Sequence, residues 1–349
     1  MTRKRINIAT YCTWKSYGSV LQAFALCKFL EELGYNATVI DYDFADLQDR
    51  KRIRSIRESV KGLLFCIQDQ RSKRRTEKFI RDNIPMTNRI DSYGDLAQLV
   101  DERALFLAGS DQIWHPDSCN PFFFLRFADN CKRVSYAASM GKTVISSDRF
   151  GIFSEYVSAF DRISLRESDA CEVVNQIVGG RAVRNIDPTL LIDSATWSAL
   201  ERPYPICERY LLVYPLYWDK RYNEDLLRLS KERHLEVVAI SKSPNVFCTR
   251  RITDVDVGQF IYLIHNADAV VTSSFHGLTM SLNYQKQVSA IVNPSLPSRI
   301  ESLLELLDIA SIRATDSISF LSIDYQMIDE KIRYEKEKAE LYLREAIGD

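Results

Sequence analysis

Of the four histidines in this 349-residue chain, His276 stands where an imidazole could move a proton. It lies in Ser273-Ser274-Phe275-His276-Gly277, between the apolar run 268–271 and a stretch in which Leu278 and Leu282 recur at helical spacing. The pattern predicts a buried strand, a tight polar turn and a helix. In open α/β sheets ligands bind outside the carboxyl ends of strands, and the first turn of a helix offers free N–H groups to an anion. Three other places supply complementary chemistry. The run Ala104-Leu105-Phe106-Leu107-Ala108 leads into Gly109-Ser110-Asp111-Gln112-Ile113-Trp114-His115-Pro116, where Asp111 could orient or deprotonate a hydroxyl, or simply cap a turn. The stretch 162–167 ends in Arg166, whose guanidinium could grip a carboxylate or phosphate with two parallel bonds, or pair with Glu167 or Asp169. Arg299 opens a helix in Pro297-Ser298-Arg299-Ile300-Glu301, where an acid would suit the dipole better, which favours an anion-binding role.

The elements that must position these groups read as α/β. A strand at 6–10 is followed by a loop through Trp14, Lys15, Ser16, Tyr17 and Gly18. A helix comes next, with Val20, Phe24, Cys27 and Leu30 at steps of four, three and three, then Gly34 as its stop and a second strand at 38–42. This β-α-β opening implies a right-handed crossover and a Rossmann-like first half. No G-x-G-x-x-G is present, so no dinucleotide is expected. In that first helix Gln22 reads equally well as a binding residue or as an exposed first-turn residue. A strand then turn at 133–141 and a helix over 148–160 continue the alternation, and Pro188 with Asp193-Ser194 punctuates its end. A second unit begins near Arg202-Pro203-Tyr204-Pro205, with strands at 210–214, 235–240 and 288–292, helices at 222–233 and 258–265, and a charged terminal helix at 327–346. His234 and His265 fall at helix ends and read as charges favourable to the dipole.

Composition narrows the class. With 46% apolar and 27% charged residues the chain is a globular one of about two domains. It contains no apolar run near the ~18 residues of a membrane span, and Met1-Thr2-Arg3-Lys4-Arg5 leads straight into a strand, so a cytoplasmic location is expected. The eight cysteines are never closer than twelve residues apart, which argues against a metal or redox pair and for reduced packing thiols. The stretch Arg50 to Arg75 carries ten Lys or Arg against two acids, a local balance of 10 − 2 = +8 in a chain of net −1. With Val60, Leu63, Leu64, Phe65 and Ile67 as an apolar side, it suits either an anionic membrane surface or a solvated domain edge. No nucleic-acid-binding module is recognisable, so nucleic acid is not expected.

Several stretches together resemble one family, the polysaccharide pyruvyl transferases. Tyr17-Gly18-Ser19-Val20-Leu21-Gln22-Ala23-Phe24-Ala25-Leu26 is similar to its N-Y-G-x-x-L-Q-A-x-A-L segment, with Ser16 in place of Asn. Gly109 to Pro116 is similar to G-S-D-Q-x-W-N-P, with His115 in place of Asn. Tyr136-Ala137-Ala138-Ser139-Met140-Gly141, Ser164-Leu165-Arg166-Glu167, Asp187-Pro188-Thr189-Leu190-Leu191, Ser273 to Gly277 and Ser298-Arg299-Ile300-Glu301-Ser302-Leu303-Leu304 continue the likeness. The resemblance implies a GT-B-like fold: two Rossmann-like domains, 1–195 with a basic helical insert at about 50–81 and 196–326, facing across a cleft, with a helix at 327–349 packing back across them. It implies transfer of pyruvate from phosphoenolpyruvate to two hydroxyls of a sugar, forming a cyclic ketal and releasing phosphate, without a cofactor. By the same likeness His276 and Asp111 are catalytic. Arg166, Arg299, Ser273, Ser274, Phe275 and Gly277 bind the donor; Lys15, Tyr17, Gly18, Gln22, Gln112 and His115 bind the acceptor, a polyprenyl-diphosphate-linked sugar at a membrane surface. Many members carry Arg where this chain has Ser274, a charge that Arg299 or Lys15 would have to replace. A GT-B nucleotide-sugar glycosyltransferase and a non-catalytic assembly factor of polysaccharide synthesis are the competing readings, because fold alone does not fix function.

Overall fold

The computed structural model describes residues 4–43, 60–101, 104–206 and 208–348, with residues 60–69 described by their backbone only. Its first sheet holds β1 (Arg5–Ala9), β2 (Asn36–Val39), β3 (Leu105–Ala108) and β4 (Lys132–Ser135), all parallel, in the order β2-β1-β3-β4. A further parallel pair, β5 (Ile163–Leu165) and β6 (Ala182–Arg184), joins β4 through the bridges Val134–Arg162 and Ala138–Leu165. Helix α1 (Tyr17–Glu32) makes the crossover between β1 and β2, and Gly34 leaves its end with φ +94. Order reverses between β1 and β3, so the switch point of this sheet lies at Thr10 and Gly109 to Asp111.

The second sheet holds β7 (Tyr210–Tyr214), β8 (Glu236–Ile240), β9 (Arg250–Ile252), β10 (Ala269–Thr272), β11 (Gln287–Ile291) and β12 (Arg313–Ala314). Read from one edge the order is β9-β8-β7-β10-β11-β12, all parallel, the Rossmann order 3-2-1-4-5-6. Strand β10 is buried at every position, as a parallel strand covered on both faces requires. Its switch point falls between β7 and β10. The sequence patterns anticipate these strands except β9 and β12, and also leave unread β6 and the helix α4 (Ser168–Val178) between β5 and β6.

The two sheets share a continuous apolar core, in which Phe24 of α1 meets Trp197 with ring centroids 5.5 Å apart. Tyr17 reaches from α1 into the second domain, where its hydroxyl donates to the Val255 carbonyl at 2.8 Å and its ring stacks on Phe260 at 4.6 Å. The terminal helix, α10 (Tyr325–Ile347), packs back across both domains. Glu335 and Lys336 pair with Arg184 and Glu32 at 3.0 and 3.8 Å on the first, while Asp329 accepts from Gln285 at 3.0 Å on the second. Residues 44–59, which include the first ten residues of the basic stretch, lie outside the described residues. Helix α2 (Val60–Asn83) carries the remainder, and its Arg75 pairs with Asp254 of the second domain while the Ser72 hydroxyl donates to Val255 at 3.3 Å. Among the described residues no helix is long and apolar enough to cross a membrane.

Candidate functional site

The second-sheet switch point is built by hydroxyls. Thr272 ends β10 and donates to the Tyr214 carbonyl at the end of β7 at 2.7 Å, while its oxygen accepts from the Ser274 amide at 3.0 Å. Helix α8 (Phe275–Asn283) starts two residues before Gly277 because Ser274 caps it, accepting from the Gly277 amide at 3.2 Å. A Cβ at Gly277 would lie 2.5 Å from the Thr272 hydroxyl, so this turn admits only glycine there. Ser273 is engaged within the protein: it accepts from the amides of Leu216 and Tyr217 at 2.9 and 2.8 Å and donates to the Tyr217 carbonyl at 2.7 Å.

His276 therefore sits in the first turn of α8, pointing into the other domain. Its ring lies against Gly18 of α1, where a Cβ would fall 2.0 Å from Nδ1. On the opposite side Nε2 lies 3.8 Å from Asp187 Oδ2 and is buried with no hydrogen-bond partner among the described residues. Asp187 follows β6 and is fully enclosed. It accepts from the Ser110 hydroxyl at 2.9 Å, from Arg166 Nη1 at 2.6 Å, and from the Thr189 amide and hydroxyl at 3.0 and 2.7 Å. Thr189 in turn reaches Thr279 of α8 at 3.0 Å, so the same turn braces the helix that carries His276.

Arg166 is buried between two carboxylates. Besides Asp187, its Nε donates to Glu167 at 3.3 Å, and the guanidinium stacks on the Phe275 ring at 4.1 Å. The fork is thereby held with Nη2 unpartnered among the described residues. Phe275 thus touches the site by orienting an arginine. Arg299 stands in the first turn of α9 (Ser298–Leu307), half-buried, with no hydrogen bond or ion pair among the described residues; the Ser168 amide donates to Ser302 of the same helix at 3.4 Å, tying α9 to the first domain. Asp111, half-buried, adopts φ +77 and accepts from the Gln112 amide at 2.9 Å, while its carbonyl receives the Ser139 amide at 3.0 Å.

The electrostatics follow from this packing. Burial pushes the His276 imidazole below its ordinary value, Asp187 and Asp111 pull it back up, and Arg166 and Arg299 depress it further. Burial would raise Asp187, but Arg166, His276 and Thr189 hold it below the usual carboxylate range. Burial works against the charge of Arg166, yet Glu167, Asp187 and Asp111 hold its value up. Burial lowers Arg299, with Arg166 adding to the effect.

The remaining candidates fall around this centre. Gln22 is completely buried, which overturns the exposed alternative. Its amide donates to the Thr10 hydroxyl and the carbonyls of Tyr11 and Ser19 at 3.0, 2.8 and 2.9 Å, and Thr10 donates to Ser110 at 2.7 Å, so Gln22 ties together the ends of β1 and β3. Gln112 packs on Gly141, where φ is +72 and a Cβ would fall 2.1 Å from its amide nitrogen. Burial lowers His115, whose Nδ1 accepts from the Asp117 amide at 3.3 Å. Lys15 is exposed on the loop before α1. His265 pairs with Glu201 at 2.6 Å, away from His276. Asp187, Ser110 and Thr189 were not singled out as site residues from sequence, whereas the pairing of Arg166 with Glu167 that the sequence offered as an alternative is present at 3.3 Å. Among the described residues no group of His, Cys, Asp or Glu could hold a metal ion.

Two Rossmann-like sheets with the catalytic candidates at their switch points define a GT-B-like fold. The chain belongs to the polysaccharide pyruvyl transferase family, whose model matches residues 17–295. A comparison with curated proteins returns no match. Among solved structures, the S. aureus MnaA–UDP co-structure is similar in fold, at 13% identity, covering 100% of this chain and 93% of that one with a TM-score of 0.50. The UDP-GlcNAc 2-epimerase of Methanocaldococcus jannaschii also aligns, at 11% identity over 95% of this chain and 92% of that one, with a TM-score of 0.48.

Proposed function

We propose that this transferase moves pyruvate from phosphoenolpyruvate onto two hydroxyls of a sugar in a surface-polysaccharide precursor, releasing phosphate. The observation that carries this reading is the pair of guanidiniums from opposite domains, Arg166 with a buried unpartnered Nη2 and Arg299 without a partner among the described residues, beside an imidazole whose Nε2 is also unused. Phosphoenolpyruvate carries a carboxylate and a phosphate, one anion for each arginine, and the first turn of α8 adds a favourable dipole. His276 delivers a proton to the vinyl carbon, leaving the adjacent carbon open to attack by an acceptor hydroxyl that Asp111 orients and relieves of its proton. Departure of phosphate lets the second hydroxyl close the ketal.

The acceptor in this reading is a polyprenyl-diphosphate-linked sugar met at the inner face of a membrane, with the basic stretch Arg50 to Arg75 supplying attraction to anionic lipid. Each Lys or Arg near such a surface contributes about 1 kcal/mol. Calorimetric titration with phosphoenolpyruvate and with UDP, followed by phosphate release with free and lipid-linked saccharides on anionic or neutral vesicles, tests both parts. Phosphoenolpyruvate is expected to bind, and turnover to be fastest with lipid-linked acceptors on anionic vesicles. Binding of UDP alone would replace this donor with a nucleotide sugar, and equal rates on both vesicle types would remove the membrane from the scheme.

A further inference from the structure

We infer that Asp187 is the positioning residue of the site, fixing the free face of Arg166 and supplying the negative charge that lets His276 become protonated when an anion enters. The inference rests on the phosphoenolpyruvate reading only for the identity of that anion. A carboxylate buried with a nearly full set of partners is costly to remove from water, and here its hydrogen bonds come from three separate strand ends: Ser110 after β3, Arg166 after β5 and Thr189 after β6. Oδ1 takes the two bonds from Thr189, and Oδ2 accepts from Ser110 at 2.9 Å and Arg166 at 2.6 Å while facing the His276 ring at 3.8 Å. Arg166 can therefore present Nη2 in one direction only, because Nη1 is anchored on Asp187, Nε on Glu167 and the plane on Phe275.

His276 is faced by Asp187 from the turn after β6, by Asp111 from the loop after β3, by Arg166 after β5 and by Arg299 from α9. The two arginines oppose an imidazolium while the site is empty. An arriving anion engages them, and the charge of Asp187 then makes protonation of His276 favourable. Proton uptake is thereby coupled to donor binding, with Asp187 setting the pH at which it occurs.

The experiment follows the His276 ring signal by NMR across pH in the native protein and in Asp187→Asn, assigned with His276→Gln, in the absence of ligand and with phosphoenolpyruvate or inorganic phosphate. In Asp187→Asn the ring is expected to titrate at lower pH, and the basic limb of kcat should move the same way, with kcat falling ~10²-fold at neutral pH and recovering in part as pH is lowered. If Asp187→Asn does not fold, Ser110→Ala, which removes a donor from the carboxylate oxygen that faces His276 and so leaves its charge less neutralised, should move the titration the other way, to higher pH, by less. Identical titration in the native protein and the folded variant, with kcat reduced evenly at all pH values, would make Asp187 a structural residue only. Failure of phosphoenolpyruvate to bind would sink the donor assignment while leaving the ligand-free titration to decide the role of Asp187.

Discussion

Replacing His276 with alanine should lower kcat by ~10² to 10⁴ while leaving phosphoenolpyruvate binding largely intact, as expected when a general acid is lost from a site whose anion contacts come from other residues. The ring is wedged between Gly18 and Asp187, so its removal opens space without stranding a charge. The pH dependence carries a second signature. In the empty protein burial and two arginines hold His276 below its ordinary value of ~6.5, so the unfolded chain binds more protons in the interval between the two values. Stability from the neutral buried ring is therefore fully present above ~6.5 and declines as pH falls toward the folded value. Bound phosphoenolpyruvate reverses the balance by favouring the imidazolium, so calorimetry in buffers of different ionisation heat should show proton uptake near neutral pH that disappears in His276→Ala. A variant turning over at near-native rate with only weaker donor binding would make His276 a ligand rather than the acid.

Arg166→Met is expected to have the largest effect on stability of any single change at the site. It removes the guanidinium but leaves Asp187 and Glu167 buried, and breaking a buried pair in this way costs about 3 to 5 kcal/mol. In the native protein Asp187 is held below the usual carboxylate range, so its contribution is present above ~3.9 and lost as pH falls through the depressed value. Without Arg166, burial dominates and raises Asp187, so the variant should regain part of its lost stability as pH is lowered toward ~3.9, an interval in which the native contribution of Asp187 is constant. Urea unfolding at several pH values measures both. A loss near zero, or parallel pH profiles, would mean that water or another cation compensates the carboxylates. Arg166→Lys should restore part of the stability but not donor affinity, because an ammonium cannot reproduce the fork that Asp187, Glu167 and Phe275 orient.

Much of this arrangement is legible in the sequence because the site is made of strand ends. The apolar runs before Asp111, Arg166 and His276 announce buried parallel strands, and polar residues following each place those side chains on one edge of a sheet. What sequence does not carry is which partner each group meets. Gly18 and His276 are separated by most of the chain, yet the glycine exists to let the ring lie against α1. Gln22 has the look of an exposed polar residue because two of its three acceptors, Thr10 and Tyr11, lie just past a strand end that only the fold brings over it. Asp187 hides behind its own proline and threonine, whose local hydrogen bonds account for it before Ser110 and Arg166 are seen. Strand β9, three residues long with two arginines, and β6, which ends in one, have too little apolar pattern to be read.

The carboxylates that discipline Arg166 also shape how a substrate finds the enzyme. Counting formal charges, Asp111, Glu167 and Asp187 against Arg166 and Arg299 give −3 + 2 = −1 with a neutral His276. Such a centre exerts no net pull on a multiply charged anion from beyond a Debye length of ~8 Å, so capture proceeds without long-range steering and is nearly indifferent to ionic strength. Selection is deferred to the last few ångströms, where an anion must meet the oriented guanidinium of Arg166 together with that of Arg299, and inorganic ions that would crowd a strongly positive cleft gain little by entering it.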